Sequence, residues 1–123
     1  MPRDYPRTRR VGEQIQRELA ALLREQIKDP RLGMTTVSAV RVSRDFSHAK
    51  VFITVLGDAE VQQASLEVLR RAAGFLRHEL GRRMLLRTVP ELHFVYDESI
   101  ERGSRLSELI EQAVTEDKAR HRD

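Results

Sequence analysis

Two runs rich in β-branched residues, Thr36 to Ser43 and Ala49 to Leu56, stand only five residues apart, and this spacing constrains the fold more than any other feature of the chain. A parallel crossover needs a dozen or more residues, so Arg44-Asp45-Phe46-Ser47-His48 predicts an antiparallel hairpin. Val40 and Val42 alternate with Ala39, Arg41 and Ser43, the period of a half-buried strand, and Val51, Ile53 and Val55 share one face of the next.

Helical spacing surrounds the hairpin. Val11, Ile15, Leu19, Leu22, Leu23 and Ile27 recur at steps of three and four, which predicts an amphipathic first helix ending near Asp29-Pro30, with Gly33 turning the chain. Past the hairpin, Gly57-Asp58 closes the second strand, and Asp58 suits the cap of a helix through Val61, Ala64, Val68 and Leu69. The apolar row Leu69, Ala72, Ala73, Leu76, Leu80 is interrupted at Ala72-Ala73-Gly74. A glycine inside a helix costs about 1 kcal/mol relative to alanine, so Gly74 argues for a kink, a close backbone approach or tight helix packing. Thr88-Val89-Pro90 then releases the chain into a third strand, Leu92, Phe94 and Tyr96 alternating with His93 and Val95. Leu106, Leu109, Ile110 and Ala113 predict a last helix, with Asp97, Glu98 and Glu101 as acids favoured by its dipole. The order is α-β-β-α-kink-α-β with a C-terminal helix: an α+β, two-layer domain over residues 1–115 whose three-stranded sheet is covered by helices. Residues 116–123 are polar and mixed in charge, and fraying or disorder is expected there.

Charge singles out the interrupted helix. Between Arg70 and Arg87 stand six arginines (Arg70, Arg71, Arg77, Arg82, Arg83, Arg87) against the single acid Glu79, a local charge of +5 in a chain whose net charge is +3. Residues 1–10 add a second basic segment through Arg3, Arg7, Arg9 and Arg10, and the remainder is net acidic. A local patch of one sign is the electrostatic footprint of a polyanion binder. The N-terminal arginines fit either a contact or a loose leader. Arg41, Arg44 and Lys50 fit edge-strand solubility.

Other chemistries find no support. Without cysteine there are no disulfides, thiol nucleophiles or thiolate metal sites, and no apolar run approaches the roughly 20 residues of a membrane helix. His48, His78, His93 and His121 lack metal-type spacing, the glycines never form a phosphate-cradling loop, and no serine has a general base in register. The chain is therefore expected to be a cytoplasmic monomer without catalytic residues, metal, cofactor or small-molecule substrate.

The element order resembles the type II KH domain, and several segments resemble the bacterial ribosome-binding factor A family within it. They are Asp29-Pro30-Arg31-Leu32, Val40 through Val51, Ala72-Ala73-Gly74-Phe75-Leu76-Arg77, Arg87 through Phe94, and Asp97 through Gly103. The GxxG loop with which ordinary KH domains clamp single strands is missing, and Ala72-Ala73-Gly74 matches the family's Ala-x-Gly kink instead. The resemblance implies a non-enzymatic assembly factor that joins free 30S subunits and assists late maturation and processing of 16S rRNA near its 5′ region. Arg70, Arg71, Arg77, Arg82, Arg83 and Arg87, with Arg7, Arg9 and Arg10, are the candidate RNA contacts. Two other readings stay open: a protein-interaction module whose arginines only solubilise it, and a DNA-binding protein built on the two basic helices.

Overall fold

The computed structural model describes residues 6–98. Its elements are α1 (Arg7–Gln26), β1 (Met34–Val42), β2 (His48–Leu56), α2 (Ala59–Arg71), α3 (Ala73–Arg83) and β3 (Glu91–Tyr96). The expected C-terminal helix and polar tail lie outside the described residues.

The sheet order is β1-β2-β3, with β1 and β2 antiparallel as the short linker requires and β3 parallel to β2. β2 is therefore the central strand, and Ala49, Val51, Ile53 and Val55 along it are buried while their neighbours in sequence are not. Ile15, Leu19, Leu22 and Leu23 of α1, Leu66 and Leu69 of α2, Leu76 and Leu80 of α3, and Leu92 and Phe94 of β3 complete one core under that face. Burial of these apolar side chains, at roughly 1.5–3 kcal/mol each, is the main force holding the helices on the sheet.

β1 contains a bulge. The register slips between Val37 and Ala39, leaving Ser38 as an extra residue, and this brings Val37 onto the same face as Val40 and Val42 although the sequence puts it out of phase. The polar groups of the bulge are satisfied from three directions. Gln16 Nε2 donates to the carbonyls of Val37 (3.0 Å) and Ser38 (3.2 Å), and Ser38 Oγ bonds the Phe52 carbonyl (3.2 Å) and Asp97 Oδ2 (2.5 Å).

Helix α1 begins earlier than its apolar row. Arg7, Arg9 and Arg10 form part of its first turn, so they are not a loose leader; the amides of Arg9 and Arg10 donate to the Pro6 carbonyl at 3.0 and 3.1 Å. Gly12 lies against β1, where a Cβ would stand 2.6 Å from the Val40 carbonyl oxygen. Helix α2 starts as expected, with Asp58 Oδ1 accepting from the Val61 amide at 3.0 Å. The hairpin tip is tied by Asp45, whose carboxylate accepts from Ser43 Oγ, Ser47 Oγ and the Ser47 amide, bonds that hold its pKa well below the usual range. The tip turns on Phe46 in the left-handed region, φ 62°.

The interruption falls at Ala72 (φ −85°, ψ 0°), which ends α2 and begins α3. Gly74 is already the second residue of α3, is exposed, and has nothing within 4 Å of a Cβ placed on it. Tight helix packing as the reason for this glycine is corrected accordingly. What seats α3 is the burial of Leu76 and Leu80, both without solvent exposure.

Candidate nucleic-acid interface

The six arginines of the basic segment divide into two groups once their partners are seen. Arg70 and Arg77 each fork onto a backbone carbonyl. Arg70 Nε and Nη2 donate to the Phe94 carbonyl (3.2 and 3.0 Å), binding α2 to β3, and Arg77 Nε and Nη2 donate to the Val89 carbonyl (3.0 and 2.9 Å), binding α3 to the turn before β3. Arg83 reaches α1, with Nη2 2.6 Å from Glu25 Oε1 and Nη1 3.5 Å from Glu18 Oε1. These three brace the domain. Glu79 is thus not the only acid that serves the segment: two carboxylates from α1, far away in sequence, neutralise Arg83.

The other three present their charge outward. Arg82 is an exposed partner of Glu79 at 3.4 Å, the kind of surface pair that contributes little. Arg71 and Arg87 are exposed and make no hydrogen bond or ion pair with a described residue. Arg71 lines a cleft beside the break together with Lys28, Arg31, Ala72 and the half-exposed ring of Phe75. The one acid in that cleft, Asp29, is taken by Arg31 (2.7 Å between Nη2 and Oδ2), and hydrogen bonds from Arg31 lower its pKa to about 2. Cations and an aromatic face without a free carboxylate suit a phosphate and a base.

The second basic segment stands on α1. Arg7 lies over the Phe46 ring, 5.7 Å from its centroid, and Arg9 is 3.8 Å from Glu13. Three arginines and no acid in the first turn oppose the helix dipole, so they do not stabilise α1 and their charge adds to a positive helix end. The hairpin tip that Arg7 touches is joined to β3 by the Glu91 amide, which donates to the Ser47 carbonyl at 2.9 Å, and Glu91 in turn shares a cleft with Ala73, Gly74 and Arg77 of α3.

One cluster had no signal in linear spacing. His48, Glu91 and His93 meet on the exposed face of the sheet because β2 pairs in parallel with β3, a register that distance along the chain does not reveal.

Fold and surface define an α+β domain of α-β-β-α-α-β order, a three-stranded sheet carrying an interrupted, arginine-bearing helix pair. The ribosome-binding factor A family model matches residues 7–110, and the chain belongs to that family. It is 63% identical over 123 residues to ribosome-binding factor A of Thioalkalivibrio sulfidiphilus, covering all of this chain and 95% of the relative. It is 59% identical over 125 residues to that of Pseudomonas aeruginosa, covering all of this chain and 97% of the relative. Among solved structures it is similar to ribosome-binding factor A from Thermus thermophilus (TM-score 0.66, 32% identity, 72% of this chain and 93% of that one). It is also similar to a putative ribosome-binding factor A of Thermotoga maritima (TM-score 0.64, 34% identity, 70% and 82%). A Thermus thermophilus homology model fitted into a map of a 30S complex matches with TM-score 0.61 at 33% identity, covering 71% and 91%. Among the described residues, no helix is long and apolar enough to cross a membrane.

Proposed function

We propose that this protein binds the free 30S subunit in the cytoplasm as a monomer and assists late maturation and processing of 16S rRNA near its 5′ region, acting by binding and without a chemical step. The observation that carries the reading is the set of outward arginines on and just after the helix pair, Arg71, Arg82 and Arg87, with Phe75 beside Arg71 at the break. The relative fitted into a 30S complex supports the choice of partner. Arg71, Arg82 and Arg87 supply phosphate contacts and Phe75 a stacking surface, while Arg70, Arg77 and Arg83 hold the helices in the shape that meets the RNA. Arg7, Arg9 and Arg10 extend the basic surface along α1.

Co-sedimentation with free small subunits, large subunits and whole ribosomes tests it. Preference for free small subunits is expected, and equal binding to all three sinks the reading. Reversal of Arg71, Arg82 and Arg87 to glutamate should abolish the association. Retained binding would turn the case toward a protein-docking module. With three phosphate contacts, log affinity should fall against log salt with a slope of about −2 to −3.

A further inference from the structure

We propose that His48, Glu91 and His93 form a three-ligand site for a borderline divalent transition metal, zinc being the first choice, on the sheet face that the helices leave open. The ladder makes it: β2 pairs His48 with Glu91 and Lys50 with His93, while Ala49, Leu92 and Phe94, alternating with them, are buried. His48 Nδ1 lies 3.0 Å from His93 Nε2, and Glu91 Oε1 lies 3.6 Å from the first nitrogen and 3.2 Å from the second. The ring centroids are 5.1 Å apart with planes inclined at 42°, so the two nitrogens face each other and the rings are not stacked.

The triangle fits a metal. A tetrahedral zinc ion with bonds of about 2.0–2.2 Å separates its ligand atoms by roughly 3.3–3.6 Å, and the observed edges of 3.0, 3.2 and 3.6 Å lie within about 0.3 Å of that range. Two imidazoles and one carboxylate favour zinc, nickel or copper over the oxygen-seeking magnesium and calcium. The competing arrangement is a hydrogen bond between the rings, which needs one to carry the proton and the other the lone pair; a cation uses both lone pairs and the carboxylate together. The fourth position faces solvent, since the three side chains are about half exposed (59%, 57% and 48%), and water would take it. Two cations stand near. Lys50 has its ammonium 5.7 Å from the Phe52 ring, one step further along β2, and Arg77 is spent on the Val89 carbonyl. Their repulsion, with the exposure, makes this a site filled at micromolar zinc. It stands independently of the RNA reading.

The test is a zinc titration of the full-length chain, prepared without a polyhistidine tag and competed against a chromophoric chelator, with the histidine ring nitrogens followed by NMR. One equivalent is expected to bind at micromolar zinc and to shift His48 Nδ1 and His93 Nε2, with no competition from millimolar magnesium. The paired change His48→Ala and His93→Ala should weaken binding at least tenfold. Glu91→Gln should weaken it less, and His78→Ala on α3 not at all. These exposed changes leave the core intact, so circular dichroism should match the parent. Absence of saturable binding overturns the proposal, as does zinc affinity that survives loss of both histidines.

Discussion

The seam between α1 and β1 and the break between α2 and α3 each carry a glycine, in opposite surroundings. Gly12 is buried, and any side chain would run into the Val40 carbonyl at 2.6 Å; Gly74 is exposed and faces open space. The first is dictated by the packing of the domain on itself. The second makes no contact that the packing needs, yet it lies at the break, next to Phe75 and one turn from the outward Arg71. The sequence marks only Gly74, as an interruption; Gly12 sits unremarked inside the first apolar row, and only its neighbours in space show what it is for.

The largest test of this contrast lies just beyond the break. Leu76→Ala removes a side chain with no solvent exposure and should cost about 2–5 kcal/mol in urea unfolding, because α3 is seated by its leucines. Gly12→Ala should cost about 1–3 kcal/mol, since backbone cannot retreat as a side chain can. Gly74→Ala should be neutral or raise stability by up to about 1 kcal/mol, and under the proposed function it should weaken co-sedimentation with free small subunits at unchanged fold. Equal destabilisation by the two alanines would erase the contrast. The smallest effect concerns Asp29 at the cleft. Its pKa is lowered from 3.8 to about 2, so its contribution is complete above pH 3.8 and is lost as the pH falls towards 2. In an acid titration the stability gap between the parent and Asp29→Asn should be constant above pH 3.8 and close as the pH falls towards 2.

Local features were legible in the sequence, and long-range ones were not. The hairpin, the Asp58 cap and the rows Ile15/Leu19/Leu22 and Leu76/Leu80 follow from spacing within a few residues, where sequence and geometry are nearly the same thing. The bulge left a faint mark, Val37 out of step with Val40 and Val42, which the alternation of the later residues overshadowed. The first turn of α1 was hidden because its residues are polar and its amides lean on the Pro6 carbonyl, with no capping side chain to announce it. At the candidate interface, clustering of charge was plain, but the division of labour was not. The partner of Arg70 is a backbone carbonyl 24 residues away, which any residue type would offer equally, and the acids of Arg83 are on another helix.

Arg70 and Arg77 act as a clasp on β3, and that bears on how the domain breathes. β3 is a six-residue strand on the edge of the sheet, paired among the described residues with β2 alone, and edge strands with few partners open first in native-state hydrogen exchange. Its carbonyl at Phe94 and the one just before it at Val89 are gripped by guanidiniums rooted on α2 and α3. Removing either arginine should therefore speed exchange of the β3 amides well before it lowers global stability. Anything that grasps the helix pair thereby also tightens or loosens the sheet edge.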